Sequence, residues 1–137
     1  MPESPYARTA RSYKAAAIAT ATPGQLILIL FDGALSSMAI AISYFDEPDS
    51  GERTLKIHNK VMNAHDIVLE LQASLDLKQP GDFPRRMWNL YAFMMAQLRG
   101  ANLKKDPEPI KVVEGLLRKI RDAWAQMLES TSTTQAA

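Results

Sequence analysis

Thr22-Pro23-Gly24-Gln25-Leu26-Ile27-Leu28-Ile29-Leu30-Phe31-Asp32-Gly33-Ala34 opens on a helix start and then stays apolar for most of its length. Threonine accepts a backbone hydrogen bond at an N-cap, proline is pre-set for the first helical position, and a glutamine three residues on completes a capping box. The same grammar recurs downstream. Asp49-Ser50-Gly51 offers caps after Pro48, Gln79-Pro80-Gly81-Asp82 is a turn, and Asp106-Pro107 repeats the cap-then-proline signature. Helices are therefore predicted at roughly 23–45, 52–77, 84–103 and 107–129.

Each of these helices is about 30 to 39 Å long at 1.5 Å per residue. Short turns between such rods predict an all-α fold, an antiparallel four-helix bundle. No stretch sustains the two-residue alternation of a strand. The division expected is an N-terminal segment over 1–21, a bundle over 22–129, and an unstructured Ser/Thr/Gln/Ala tail over 130–137.

The chain has 137 residues and needs no disulfide to hold a core of that size; it has no cysteine. Sixteen basic and 15 acidic side chains leave a net charge of +1, which gives no electrostatic case for a nucleic-acid partner. Leu26 to Phe45 has the length of a membrane span. Asp32, Gly33 and three serines interrupt it, and a charge near mid-span costs about 3 kcal/mol. Neither a signal peptide nor membrane insertion is expected, so the chain is placed in the cytosol. His58 and His65 share a face of the second helix without the further ligands a metal site needs. No catalytic, cofactor or metal site is expected, and the chain is not read as an enzyme.

The apolar residues exceed what one interior needs. In the fourth helix Ile110, Val113, Leu117, Ile120, Trp124 and Met127 form a single core stripe, the pattern of an ordinary amphipathic helix. The first helix has a core arc through Ile27, Leu30, Ala34, Met38, Ala41 and Phe45, and a second set, Leu26, Ile29, Gly33, Ser36, Ser37 and Ile40, on the other side. The second buries Ile57, Val61, Ala64, Val68, Leu71 and Leu75, with Leu55, Met62 and Leu69 in another stripe. The third buries Met87, Leu90, Tyr91, Met94 and Leu98, leaving Trp88 and Met95 on one flank and Phe93 on the other. A helix apolar on two sides is covered on both. At 1.5–3 kcal/mol per large side chain, the second stripes contribute of order 10 kcal/mol gross to whatever covers them. Periodicity alone leaves three coverings open: broad helix contacts or a homodimer seam, a groove for a guest polypeptide, or a cofactor pocket.

The segment Tyr13-Lys-Ala-Ala-Ala-Ile18-Ala-Thr20-Ala-Thr22-Pro23-Gly24-Gln25-Leu26, followed by Leu30-Phe31-Asp32-Gly33-Ala34, resembles the N-terminal signature of the flagellar secretion chaperone FliS family. Asn63-Ala-His-Asp-Ile67 through Leu75-Asp76, Leu90-Tyr91-Ala-Phe93-Met94 with Leu98-Arg-Gly-Ala101-Asn102, and Glu114-Gly-Leu-Leu117 with Ile120-Arg121-Asp122-Ala123-Trp124 resemble its later helices, in order. The resemblance implies a bundle with an N-terminal capping segment and no chemistry. It implies a chaperone that binds the disordered C-terminal region of flagellin, prevents premature polymerisation and presents its guest to the cytoplasmic domain of the flagellar export gate. Read with that guest in view, the second stripes place the groove at Leu26, Ile29, Gly33, Ile40, Leu55, Met62, Leu69, Trp88 and Met95, while the resemblance itself assigns Tyr13 and Ile18 to the cap and the gate contact. One departure stands out: Ala10 occupies a position where the family often has an aromatic or aliphatic side chain, and Tyr6 lies further upstream. The rival reading is a structural bundle that homodimerises through its spare faces.

Overall fold

The computed structural model describes residues 18–136, with side chains as far as Thr131. A short helical stretch over 18–20 precedes four long helices: α1 Pro23–Tyr44, α2 Gly51–Ala73, α3 Phe83–Lys104 and α4 Glu108–Ala136. The described residues contain no strand.

The helix starts sit where local chemistry puts them. The Gln25 backbone N–H donates to Thr22 Oγ1 at 3.2 Å while the Thr22 N–H donates to Gln25 Oε1 at 2.9 Å, a complete capping box with Pro23 behind it. Ser50 Oγ accepts from the Arg53 N–H at 3.1 Å to start α2. Asp106 Oδ1 accepts from the Glu108 N–H at 3.0 Å ahead of α4. Lys105, at φ 51°, takes the left-handed conformation that ends α3, and the Asp106 N–H closes back on the Ala101 carbonyl at 3.0 Å.

Two ends differ from expectation. α2 stops at Ala73 rather than near Leu77: Ser74 Oγ donates to the Leu71 carbonyl at 2.6 Å, and Asp76 Oδ1 accepts from the Lys78 N–H at 3.0 Å, drawing the chain into a turn. α4 continues through Ala136 past the predicted end at Glu129, so residues 130–136 are helical where an unstructured tail is expected. Thr131 Oγ1 donates back to the Met127 carbonyl at 3.0 Å, the helix-compatible bond of a β-branched hydroxyl.

Each helix packs on its sequence neighbour and α4 returns to α1; the α3–α4 seam is the least extensive. Seam partners run in opposite senses along the chain. Gly33 lies against Ile67 and Ser37 against Asn63; Gln72 against Trp88, His65 against Arg99 and His58 against Asn102; Gly24 and Phe31 against Trp124, and Asp32 against Arg121. The interior is closed by Phe31, Met38, Ile57, Leu71, Met94, Leu98, Ile110 and Leu117, all essentially inaccessible. By length and composition α1 is apolar enough to cross a membrane. Here Phe31, Ala34, Met38 and Ala41 make it a core helix.

The stripe predicted for α2 is buried from Ile57 to Leu71, with Leu75 half-buried beyond the helix end, and that of the first half of α4 is buried at Ile110, Val113 and Leu117. In α1 the buried arc is turned toward Phe31 and Leu35, and Ser37, expected on the outer side, is buried with its hydroxyl accepting from Asn63 Nδ2 at 2.5 Å. An almost uniformly apolar helix carries no periodicity to fix its rotation, so its neighbours fix it. Met127, expected in the core, is 47% exposed, because the far end of α4 stands away from α3.

Candidate binding cleft

Where α3 and α4 diverge, an apolar cleft of about 720 Å³ opens. Its floor is Ile27 and Phe31 of α1. Phe83, Pro84, Met87 and Tyr91 of α3 form one wall, and Ile120, Ala123, Trp124 and Met127 of α4 form the other. The turn after α2 closes one end with Leu75, Asp76, Gln79 and Pro80, and Lys119 stands at the α4 rim. The volume lies within the range of concave ligand sites.

The cleft follows from the chain around it. Gly81, at φ 89°, reverses the chain after Pro80 and delivers Phe83 to the lip, where it is 68% exposed. Trp124 is fixed twice: its Nε1 donates to the Gly24 carbonyl at 2.9 Å, and its ring meets Phe31 edge-on at 6.3 Å and 63°. Leu128 packs down on Gly24 so closely that a Cβ there would fall 2.7 Å from Leu128 Cδ2. Outside the cleft, Arg121 Nε donates to Asp32 Oδ1 at 2.7 Å, which tightens the same α1–α4 seam. One wall is thus anchored to the floor, while the α3 wall is held from its other side by α2, where Gln72 Nε2 donates to the Trp88 carbonyl at 3.1 Å. Burial pushes the Tyr91 phenol up to about 12, so its hydroxyl keeps its proton at neutral pH.

None of the groove residues predicted from the second stripes lines this cleft. Leu55 and Leu69 of α2 are 59% and 48% exposed, Leu26 of α1 is at 36%, and Ile29, Gly33, Ile40, Met62 and Trp88 are half-buried. They lie on outer or seam faces of the helices. Met95 is a correction: at 6% exposure it belongs to the core, because it sits one turn beyond Tyr91 on the same helical face. Ile18 is 45% exposed, and Tyr13 lies outside the described residues.

The cleft itself was hidden among expected core positions. Ile27, Met87, Tyr91, Ile120, Trp124 and Met127 all fit core stripes, and a core stripe does not disclose where two helices part. The available signal was Phe83, a large apolar residue placed directly after a turn. Among the described residues no group of three His, Cys, Asp or Glu side chains is placed to hold a metal ion. What the cleft offers is apolar contact, with the Tyr91 phenol in its lining and one charge of each sign, Asp76 and Lys119, at its edges. Such a lining is of the kind that takes up an apolar face.

The family described as Flagellar protein FliS matches residues 6–131. The chain is 36% identical over 119 residues to the flagellar secretion chaperone FliS of Salmonella typhimurium, covering 85% of this chain and 84% of that protein. It is 32% identical over 119 residues to the Escherichia coli protein of the same name, covering 87% and 85%. It is 29% identical over 119 residues to that of Bacillus subtilis, again covering 87% and 85%. A chain matched from end to end of its bundle in this way belongs to the FliS family of flagellar secretion chaperones.

Proposed function

We propose that this chain is a flagellin-specific export chaperone of the cytosol, performing no catalysis, that binds the disordered C-terminal region of flagellin, prevents its premature polymerisation and aids its delivery to the cytoplasmic domain of the export gate. The observation that carries this is the open apolar cleft between α3 and α4. So large an apolar surface, left uncovered by the described residues of a small bundle, is costly to leave in water and is the kind of surface a partner covers. The seam pairs, running in opposite senses, support an antiparallel bundle over 22–129 as the guest-binding unit. Residues 1–21 serve as its cap, with Tyr13 and Ile18 contacting the cap site and the gate. The guest anchors in the cleft and wraps onward across the outer residues Leu26, Ile29, Gly33, Ile40, Leu55, Met62, Leu69 and Trp88. Met95 takes no direct part, since the core holds it.

The test uses calorimetric titration of the full chain with a flagellin C-terminal segment. Phe83→Ser with Met127→Ser removes two exposed side chains from the cleft. At about 1.5–3 kcal/mol for each fully covered side chain, binding weakens by at least about tenfold while the melting temperature changes little. Ile29→Ser with Ile40→Ser weakens it less and lowers stability somewhat more, both residues being half-buried. Unchanged affinity in the cleft variant sinks the proposal.

A further inference from the structure

The outer face of α3 has features that neither the bundle nor the cleft uses. Asn89, Phe93, Ala96, Gly100 and Leu103 follow one another at spacings of four, three, four and three, a single line along the helix opposite the buried Tyr91, Met94 and Leu98. Phe93 is 45% exposed and Leu103 is 85% exposed, about 15 Å apart along the axis at 1.5 Å per residue. Between them Ala96 and Gly100 form a shallow saddle. A glycine within a helix is unfavourable relative to alanine. A Cβ on Gly100 would meet nothing within 4 Å, so the fold gains nothing from the missing side chain. A bare Cα on an exposed face is of use to a second backbone that comes close.

The charges say what kind of backbone. From Phe83 to Lys105 the chain carries Arg85, Arg86, Arg99, Lys104 and Lys105 and no acidic residue. Arg86 pairs with Asp82 at 2.9 Å, and Arg99 Nη1 lies 3.1 Å from His65 Nε2. Arg85 and Lys104, near the two ends of the line, have no ion pair among the described residues. A second copy of this face would set like charges against like. An anionic bilayer would be drawn to the basic ends, but it wants protruding apolar side chains and takes nothing from a glycine saddle.

We propose that the outer face of α3 docks an acidic amphipathic helix of a second protein. Its backbone lies over Ala96 and Gly100 between Phe93 and Leu103, and its carboxylates reach Arg85 and Lys104. This surface is separate from the flagellin cleft, which opens beside the inner face of α3.

The probe is a synthetic helical peptide with Ala and Leu on one face and Glu at both ends, titrated into the ¹⁵N-labelled full chain. Saturable amide shifts are expected at Phe93, Ala96, Gly100 and Leu103, weakening steeply from low to high salt. Gly100→Leu blocks the saddle and weakens binding by about tenfold or more, without unfolding a helix that leucine favours. Arg85→Glu with Lys104→Glu does the same through like-charge repulsion. Both variants keep the parent's affinity for the flagellin segment. Shifts confined to cleft residues such as Met87 and Trp124, the absence of any shift, or binding that ignores both variants overturns the proposal. So does capture of the wild-type chain by anionic vesicles, undiminished in Gly100→Leu, with no peptide response.

Discussion

The indole nitrogen of Trp124, late in α4, donates a 2.9 Å hydrogen bond to the carbonyl of Gly24 in the first turn of α1. That bond joins the two ends of the bundle's sequence and holds one wall of the cleft to its floor. Trp124→Phe keeps the ring stacked edge-on to Phe31 but loses the donor, so a loss of about 1 kcal/mol in urea unfolding is expected. Trp124→Ala, which also removes the packing, should cost about 3 kcal/mol or more. Equal losses in the two variants would mean that packing contributes nothing here.

The two glycines of α1 should answer differently to alanine. At Gly33 a new Cβ lies 3.4 Å from Ile67 Cδ1, an ordinary contact, so Gly33→Ala should stabilise by up to about 1 kcal/mol through helix propensity. At Gly24 the Cβ falls 2.7 Å from Leu128 Cδ2, and the end of that side chain must shift, which offsets part of the same gain by up to about 1 kcal/mol. Paired thermal denaturation curves rank the two; Gly24→Ala melting higher would contradict the close approach.

Asp32 holds the Arg121 guanidinium above its ordinary pKa, chiefly by the hydrogen bond at 2.7 Å and then by its charge. Both side chains are partly open to water, so the pair is screened by salt. Asp32→Asn should lower the melting temperature slightly in dilute buffer, and the difference should vanish in concentrated salt. A difference that persists there would place the role of Asp32 outside electrostatics.

Burial raises the Tyr91 phenol from its ordinary 10 to about 12. In the unfolded chain the proton leaves near pH 10, whereas the folded chain keeps it to about 12, so the unfolded state binds fewer protons across that window and stability falls as pH rises. The contribution is intact below pH 10 and is lost between roughly 10 and 12, by of order 2 kcal/mol. Tyr91→Phe should flatten this part of the profile relative to wild type when unfolding is followed by circular dichroism. Parallel profiles in the two proteins would show that Tyr91 titrates as it does in water.

The amino-acid sequence alone determined the starts of α1, α2 and α4, because a cap is a contact among residues no more than three apart; Asp82, expected to begin α3, makes no side-chain cap bond. Thr22 with Gln25, Ser50 with Arg53 and Asp106 with Glu108 all close bonds of that reach. It also determined the buried faces of α2 and of the first half of α4, where polar residues mark the other side. Only the tertiary structure decided the rest. The rotation of α1, which buries Phe31 and Ser37, and the burial of Met95 follow from competition among neighbouring helices for one interior. The cleft is a property of no single helix: it lies where α4 is tied to α1 through Trp124 and where the α3–α4 seam is the least extensive of the four. The same stripe residues that would have closed a core line an opening instead.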